Sequence, residues 1–256
     1  MNWALMYNGA WDYSADTRGY TVGIFADLRM QRWSLRVAEA LEPTTANGPT
    51  LDWRVAENRG NIVEGERRFN LLRNPGALRV LGYANLDDGG TFRRAMLPNG
   101  TTDLAATRRN GTLKYGFGLN FEQAITRNIG VFSRYGWPDG KTEAWAFTQI
   151  DRSLTGGVSL GGGIWRRKAD RIGVAAVRNY LSGVQRTFLA AGGLGFIIGD
   201  GRQDHYRPES IAEAYYAWQM LRFFTVSVDY QHVQNPAYNA DRGPVYVYSL
   251  RLHLQR

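Results

Sequence analysis

Residues 246–255 read Tyr-Val-Tyr-Ser-Leu-Arg-Leu-His-Leu-Gln, and their polarity pattern indicates the secondary structure. Apolar or aromatic residues at the even positions alternate with mostly polar residues at the odd positions. The same alternation runs through residues 212–219 and 224–231. Strict period-two alternation over such lengths is typical of β-strands with one apolar and one polar face, not of helices. The end of the chain is therefore predicted to form three consecutive strands.

The composition excludes several classes of protein. The chain has 256 residues and no cysteine, which excludes disulfide frameworks, zinc ribbons, iron–sulfur clusters and thiol nucleophiles. The length is ample for one large domain. No window of about 18 uncharged apolar residues exists, so a transmembrane helix is excluded. A transmembrane barrel is not excluded, because each of its strands needs only about ten residues of alternating polarity.

The formal net charge of +8 is spread along the whole chain. Nucleic-acid binding requires a basic stripe, so no nucleic-acid partner is expected. The first six residues have no basic start, no apolar core of signal length and no small-residue cleavage site. Either the protein stays in the cytosol or this chain lacks its true beginning.

Alternation predicts eight further strands upstream of the last three. They cover Tyr20–Met30, Trp33–Leu41, Asn61–Leu71, Gly76–Leu86, Tyr115–Ala124, Asn128–Trp137, Glu143–Leu160 and Asp170–Leu181. Residues 143–160 are taken as one strand because no Gly or Pro marks a turn at Asp151-Arg152 and because the links between strands then alternate short and long. This order of links is typical of outer-membrane barrels. An all-β fold is predicted, an antiparallel up-and-down transmembrane β-barrel segment of eleven strands, with residues 1–256 forming a single domain.

The polar face of the predicted strands suits a water-filled lumen. It carries charge on nearly every strand, and the strands exceed the roughly five or six residues usual in soluble β-proteins. Aromatic residues near strand ends match the girdles of membrane barrels. These aromatics are Tyr20, Trp33, Tyr216, Trp218, Tyr246 and Tyr248. The alternatives are the core aromatics of a β-sandwich, and a soluble or secreted β-barrel that binds a small ligand in its interior.

Other motifs give no sign of catalysis. The glycine-rich residues 192–199 miss the G-x-G-x-x-G spacing and the βαβ context, so they are interpreted as a packed turn of an outer loop. His205, His232 and His253 have no metal-ligand spacing. No nucleophile motif is present, and Ser227 alternates to the face opposite His232. We therefore expect neither an enzyme nor a bound metal or cofactor.

Several blocks of the sequence resemble one family. Residues 189–201 read LAAGGLGFIIGDG, residues 213–218 read EAYYAW and residues 235–244 read NPAYNADRGP, as in OprB-type carbohydrate-selective porins. Residues 8–20 and 137–143 are similar to the same family. The resemblance implies an outer-membrane barrel of about sixteen strands that passes sugars by passive diffusion, without a cofactor. It also implies small sugars and outer-membrane lipid as partners, with a homo-oligomer as an open option.

The chain departs from that family at both ends. About sixteen strands would need roughly 370 residues, so the first five strands and the secretion signal are expected to be missing here. Residues 1–17 would then be an outer loop. The chain stops at Leu254-Gln255-Arg256, without the aromatic end usual in such barrels. An odd number of strands cannot close antiparallel, so we expect residues 1–256 to form an open fragment.

The resemblance gives the polar face a role. A sugar is rich in hydroxyls, so its selection needs donors, acceptors and aromatic faces, and Arg alone supplies five donors. Opposed Arg and carboxylate rows would also set a transverse field. The candidate pore-lining residues are Arg36, Glu64, Glu66, Arg68, Arg79, Glu122, Arg134, Trp145, Asp151, Glu213, Tyr215, Asp229 and Arg251, with Phe147 as a further aromatic. The alternative is that these residues only solvate the lumen and pair with one another.

Two long links are expected to fold back and narrow the pore. They are residues 87–113 and 182–208, which contain predicted helical turns at 92–97 and 184–190.

Overall fold

The computed structural model describes residues 5, 9–71, 73–97, 102–146, 149–195, 197–198 and 202–255. It contains one antiparallel sheet of eleven strands that pair in chain order. The strands are β1 (Gly23–Arg29), β2 (Trp33–Leu41), β3 (Arg59–Leu71), β4 (Asn74–Asp87), β5 (Thr112–Ala124), β6 (Ile129–Pro138), β7 (Arg152–Gly161), β8 (Arg171–Tyr180), β9 (Glu209–Leu221), β10 (Phe224–Gln234) and β11 (Val245–Leu254). The predicted all-β meander is confirmed.

The connections alternate short and long, as the sequence predicts. We call the end of the sheet with the links after β1, β3, β5, β7 and β9 the short-turn end, and the opposite end the long-loop end. The long loops contain two helices, α1 (Phe92–Ala95) and α2 (Gly183–Ala190), close to the predicted helical turns. Single 3₁₀ turns lie at Ala105–Thr107, Gly162–Trp165 and Pro236–Tyr238. In the described part of the chain, every helix is too short or too polar to span a membrane.

The sheet has two faces of opposite character. One face carries Arg36 and Arg79 and is covered by residues 9–16; we call it the inner face and the other the outer face. On the outer face large apolar side chains are exposed, for example Ile24 at 79% and Leu250 at 67%. A β-sandwich would bury such a face under a second sheet. The described residues provide no second sheet, and the sandwich alternative is therefore wrong.

Aromatic side chains of the outer face gather toward the strand ends. At the long-loop end Tyr115 packs edge-on against Trp137, with ring centroids 6.1 Å apart. Tyr230 of β10 lies 5.3 Å from Tyr248 of β11. At the short-turn end the ring of Trp33 is exposed at the start of β2. The position of aromatic residues at both ends agrees with the girdles expected from the sequence.

The strand predicted at residues 143–160 is wrong in its first half, since β7 begins only at Arg152. Residues 143–146 instead bind other loops. The Glu143 carboxylate accepts hydrogen bonds from the Gly90 amide at 2.6 Å and from the Arg108 guanidinium at 2.8 Å. These bonds hold the segment in the loop layer, away from β6 and β8.

The first and last strands each pair with a single neighbour in the described structure, so the sheet is open. Because eleven strands alternate in direction, β1 and β11 run parallel to each other. Their closure against one another in an antiparallel barrel is excluded by this parity, as predicted.

Candidate pore-lining surface

Cross-strand register places the predicted residues on one face. Asp27 lies opposite Arg36, Arg36 lies opposite Glu64, and Glu66 lies opposite Arg79. Directly opposed residues of antiparallel strands share a face, and so do residues two apart on one strand. The same register continues to β11 and places on the inner face also Arg68, Glu122, Arg134, Glu213, Tyr215, Asp229 and Arg251.

An ion-pair network connects the inner face of β1 to β5. Arg36 donates to Glu64 at 2.6 Å and lies 3.6 Å from Asp27. Arg79 donates to Glu66 at 2.7 Å, and its other end reaches Glu122 at 2.8 Å. Opposite charges thus alternate from each strand to the next, so most of the predicted pore-lining charges in this part pair with one another.

Glu66 is the centre of this network. Its carboxylate is 5% exposed and accepts from three guanidinium groups. Arg79 lies at 2.7 Å, Arg68 at 3.0 Å and Arg36 at 3.3 Å. A cavity of about 960 Å³ opens beside Arg68 and Arg79 at the short-turn end. The Arg68 and Arg79 side chains at its wall are 39% and 25% exposed, and Arg68 also donates to the backbone carbonyls of Met30 and Trp33.

The second half of the inner face is less densely paired. The ring of Tyr215 on β9 lies over Gly173 of β8, where a Cβ atom would collide with it. Asp229 of β10 accepts a hydrogen bond from Gln231 at 3.1 Å. Glu213 is 2% exposed, whereas Arg251 on the edge strand is exposed. The predicted residues on β9 to β11 therefore share a face with those on β1 to β5.

The chain before β1 crosses the inner face. The Tyr83 hydroxyl donates to the Ala10 carbonyl at 3.1 Å, and the Asn85 amide donates to the carbonyl of Asp12. Further along, the Ser14 hydroxyl donates to a carboxylate oxygen of Glu42 at 2.6 Å. Residues 1–17 were expected to be an outer loop, but their described part lies on the inner face. The segment folds inward at the long-loop end because its backbone carbonyls bind inner-face donors, and its identity as an outer loop stays a prediction.

At residue 5 this segment contacts the inner face of strands β8 and β9. Leu5 is fully buried against Ala175, Val177 and Ile211, which are inner-face residues of β8 and β9. The Arg134 guanidinium donates to the Leu5 carbonyl at 2.6 Å. The segment thus occupies part of the space that the inner face encloses, and it takes up one of the predicted pore-lining arginines.

A buried carboxylate of this segment is hydrogen-bonded to the β6–β7 loop. Asp12 accepts hydrogen bonds from the backbone amides of Trp145 and Ala146, both at 2.8 Å. Burial raises the pKa of Asp12 from 3.8 to about 6, and the two amide bonds oppose that rise only in part. The pKa of Glu42 is also raised well above its ordinary value by burial.

Two predicted site residues of the β6–β7 region do not line the inner face as strand residues. Trp145 is 1% exposed in the loop, where its indole N–H donates to the Pro43 carbonyl at 2.8 Å. The prediction for Trp145 was wrong because it assumed a strand over that position. Asp151 is 4% exposed and accepts from the Ser182 amide at 2.6 Å, so it holds the start of α2. Phe147 lies outside the described residues.

The long loops pack over the sheet in one apolar cluster. Phe92 of α1 and Phe188 of α2 lie with ring centroids 5.2 Å apart, although their loops follow strands β4 and β8. Leu104, Leu189 and Tyr238 complete the cluster from three different loops. The contact between α1 and α2 agrees with the expectation that these two loops fold back. That they narrow a pore remains a prediction.

Sequence reasoning missed the inner-face residues that bind the first segment. Tyr83 and Asn85 share the register of Arg79 on β4, so alternation alone already placed them on the polar face. Their hydrogen-bond partners could not be identified from the sequence, because these partners are backbone carbonyls, which every residue has. Within the described residues no group of three or more His, Asp or Glu side chains is arranged to hold a metal ion.

An open antiparallel sheet with an exposed apolar outer face and a charged inner face defines the class of transmembrane β-barrel porins. The chain belongs to the carbohydrate-selective porin family OprB, whose model matches residues 1–255. Members of this family are bacterial outer-membrane proteins and are not enzymes. The resemblance found in the sequence is thereby confirmed, and the alternative of a soluble or secreted barrel is wrong.

A solved structure supports the same fold. A structure of Pseudomonas putida OprB determined at high pH superimposes with a TM-score of 0.73 at 17% identity, covering 91% of this chain and 58% of that chain. The chain therefore spans a little more than half the length of that protein. The toluene transporter TodX of P. putida matches at a TM-score of 0.37 and 11% identity, over 86% of this chain and 69% of TodX. No curated protein matches the chain significantly.

Proposed function

We propose that this chain contributes the wall and part of the lumen of a pore through which small sugars diffuse passively. The observation that carries the proposal is the Glu66-centred network, because it lies beside a cavity of about 960 Å³ with its Arg68 and Arg79 side chains partly exposed. Sugar hydroxyls both donate and accept, so an alternating array of Arg and carboxylate groups replaces their water contacts in either direction.

The outer face, the first segment, the loops and the remaining inner-face residues each have a role in this proposal. The outer face contacts lipid, since its exposed side chains are apolar along the strands. Residues 1–256 act as one domain, an open segment of a barrel. The segment around Asp12 and the loop cluster narrow the lumen, and the inner-face residues Tyr215, Asp229 and Arg251 form the wall opposite the network. Transport is driven by the sugar gradient alone.

Neutralising two arginines of the network together with Arg134 tests this function. In the protein reconstituted into liposomes, the triple variant Arg68→Gln, Arg79→Gln, Arg134→Gln is expected to slow glucose-driven swelling and to shift the reversal potential toward cation selectivity. The matched control replaces three exposed loop cations, Arg94→Gln, Arg109→Gln and Lys141→Gln, with the same change in charge. Unaltered swelling and unaltered reversal potential in the first triple variant would exclude these arginines from the permeation path.

A further inference from the structure

The two ends of the sheet differ in charge. The five short turns together contain seven Arg or Lys and one acidic residue, a net charge of +6. The five long loops contain ten basic and eleven acidic residues, a net charge of −1. The short turns are residues 30–32, 72–73, 125–128, 162–170 and 222–223, and the long loops are residues 42–58, 88–111, 139–151, 181–208 and 235–244. The excess positive charge of the connections therefore lies at one end.

The cations of the short turns are exposed. Arg32, Arg73, Arg127 and Arg222 each lie in a different turn, and the turn after β7 contains three more cations in a row at 166–168. The acidic residue of these turns, Asp170, is buried and paired with Arg167. Every short turn thus presents positive charge to its surroundings.

Two arginines at this end are held on the lipid-facing side. The Arg67 guanidinium carbon lies 4.4 Å from the ring centroid of Trp33, and that of Arg167 lies 5.6 Å from the ring centroid of Trp218. Both tryptophans belong to the outer face and are 51% and 40% exposed. Tryptophan at the end of a membrane strand lies at the level of the lipid headgroups. The arginines stacked on them are therefore at the depth of lipid phosphates.

We propose that the short-turn end, including Arg67 and the cations of the five short turns, binds the phosphate headgroups of anionic glycerophospholipids. Short turns of outer-membrane barrels face the periplasm, so the leaflet in contact is the inner leaflet of the outer membrane. Guanidinium groups bind phosphate through paired, charge-assisted hydrogen bonds. The Trp–Arg pairs favour lipid over a soluble acidic polypeptide, because they point to the side of the sheet and not into the aqueous space below it.

Competition between brominated lipids tests the proposal. Bromine on acyl chains quenches the fluorescence of nearby tryptophan. Quenching is measured in mixtures of brominated phosphatidylglycerol with unbrominated phosphatidylcholine, and of brominated phosphatidylcholine with unbrominated phosphatidylglycerol. The two series together give the relative binding constant of the two lipids at the protein surface. The full chain is compared with the variant Arg32→Gln, Arg73→Gln, Arg127→Gln, Arg222→Gln. The control variant is Arg93→Gln, Arg94→Gln, Arg109→Gln, Lys141→Gln, which removes the same charge at the long-loop end. Circular dichroism verifies the strand content of each variant.

The full chain and the loop variant are expected to prefer phosphatidylglycerol about fivefold for each cation engaged. The short-turn variant is expected to lose most of this preference. Raising the salt from about 0.1 M to about 1 M should also abolish it, because the Debye length falls from about 10 to about 3 Å.

Three results would overturn the proposal: equal quenching by the two lipids in the full chain, an unchanged preference in the short-turn variant, or the same loss in the loop variant. Binding of soluble polyglutamate with the same sensitivity to the variants, but without a lipid preference, would assign the surface to an acidic polypeptide instead. The proposal rests on the lipid contact proposed above, and the two fail differently. If neither brominated lipid quenches the protein, the lipid contact itself is wrong.

Discussion

Replacing Glu66 by Gln is expected to destabilise the sheet more than any other single carboxylate change in the network. Glu66 is 5% exposed and faces three guanidinium groups, from Arg36, Arg68 and Arg79. The glutamine keeps the shape and one acceptor oxygen but removes the negative charge. Three arginines that converge on one point then lose the charge that holds them together.

The size of the effect follows from the contacts. A hydrogen bond to a charged partner contributes about 1.5–3 kcal/mol and a neutral one about 0.5–1.5 kcal/mol, so each guanidinium contact loses about 1 kcal/mol. Three contacts give about 3 kcal/mol in a dry site. The arginine side chains are 24–39% exposed and water replaces part of the loss, which leaves about 2 kcal/mol.

Urea unfolding in detergent micelles, followed by tryptophan fluorescence, measures this loss. Glu122→Gln is the matched control, since Glu122 contacts Arg79 at 2.8 Å and its side chain is 50% exposed. We expect less than about 0.5 kcal/mol for the control. Equal losses for the two variants, or a loss below about 0.5 kcal/mol for Glu66→Gln, would refute the view that Glu66 is the centre of the network.

Three further predictions concern the segment on the inner face and its loop partners. Because the pKa of Asp12 is raised to about 6, its protonation stabilises the folded state at low pH, and this stability is lost as the pH rises from about 4 through about 6. Across this range the unfolding free energy of the full chain should fall by about 3 kcal/mol relative to that of Asp12→Asn, which lacks this carboxyl. Gly60→Ala should displace Ser14, whose hydroxyl occupies the position of the new Cβ atom, and limited proteolysis should then cut near residue 14. Gly65→Ala, which points into open space, should not have this effect. Trp145→Phe should cost about 1 kcal/mol in urea unfolding through loss of its indole hydrogen bond; no change would show that water replaces the indole N–H as the donor to the Pro43 carbonyl.

Most of the sheet was predictable because one face of each strand carries apolar side chains and the other carries polar side chains along its full length. In β11 the apolar set at even positions, such as Leu250 and Leu252, is exposed on the outer face, while Arg251 is on the inner face. Such a contrast leaves a period-two signal that local sequence reveals. The order of short and long connections then fixed the meander, since each link had to return the chain to the neighbouring strand.

The composition of the inner face was predictable, but its pairing was not. Alternation places Glu66 and Arg79 on the polar side of their strands, yet their contact depends on the register between β3 and β4. That register is set by the two-residue turn, and a shift of one residue would move every side chain to the opposite face. The bond from Arg134 to the Leu5 carbonyl joins residues 129 positions apart and involves a backbone group, which carries no residue-specific signal.

The error at residues 143–151 shows what alternation does and does not measure. Ala144 and Ala146 alternate with Glu143 and Trp145, as in a strand, yet all four are buried in the loop layer. Alternation indicates that an extended segment has different surroundings on its two sides. Alternation does not indicate whether the segment has a neighbouring strand to pair with. Here backbone amides that a strand would donate to a neighbour are donated to the buried carboxylate of Asp12. The Asp12 carboxylate, more than a hundred residues away in sequence, and the bonds of Glu143 thus hold in a loop a segment whose local pattern is that of a strand.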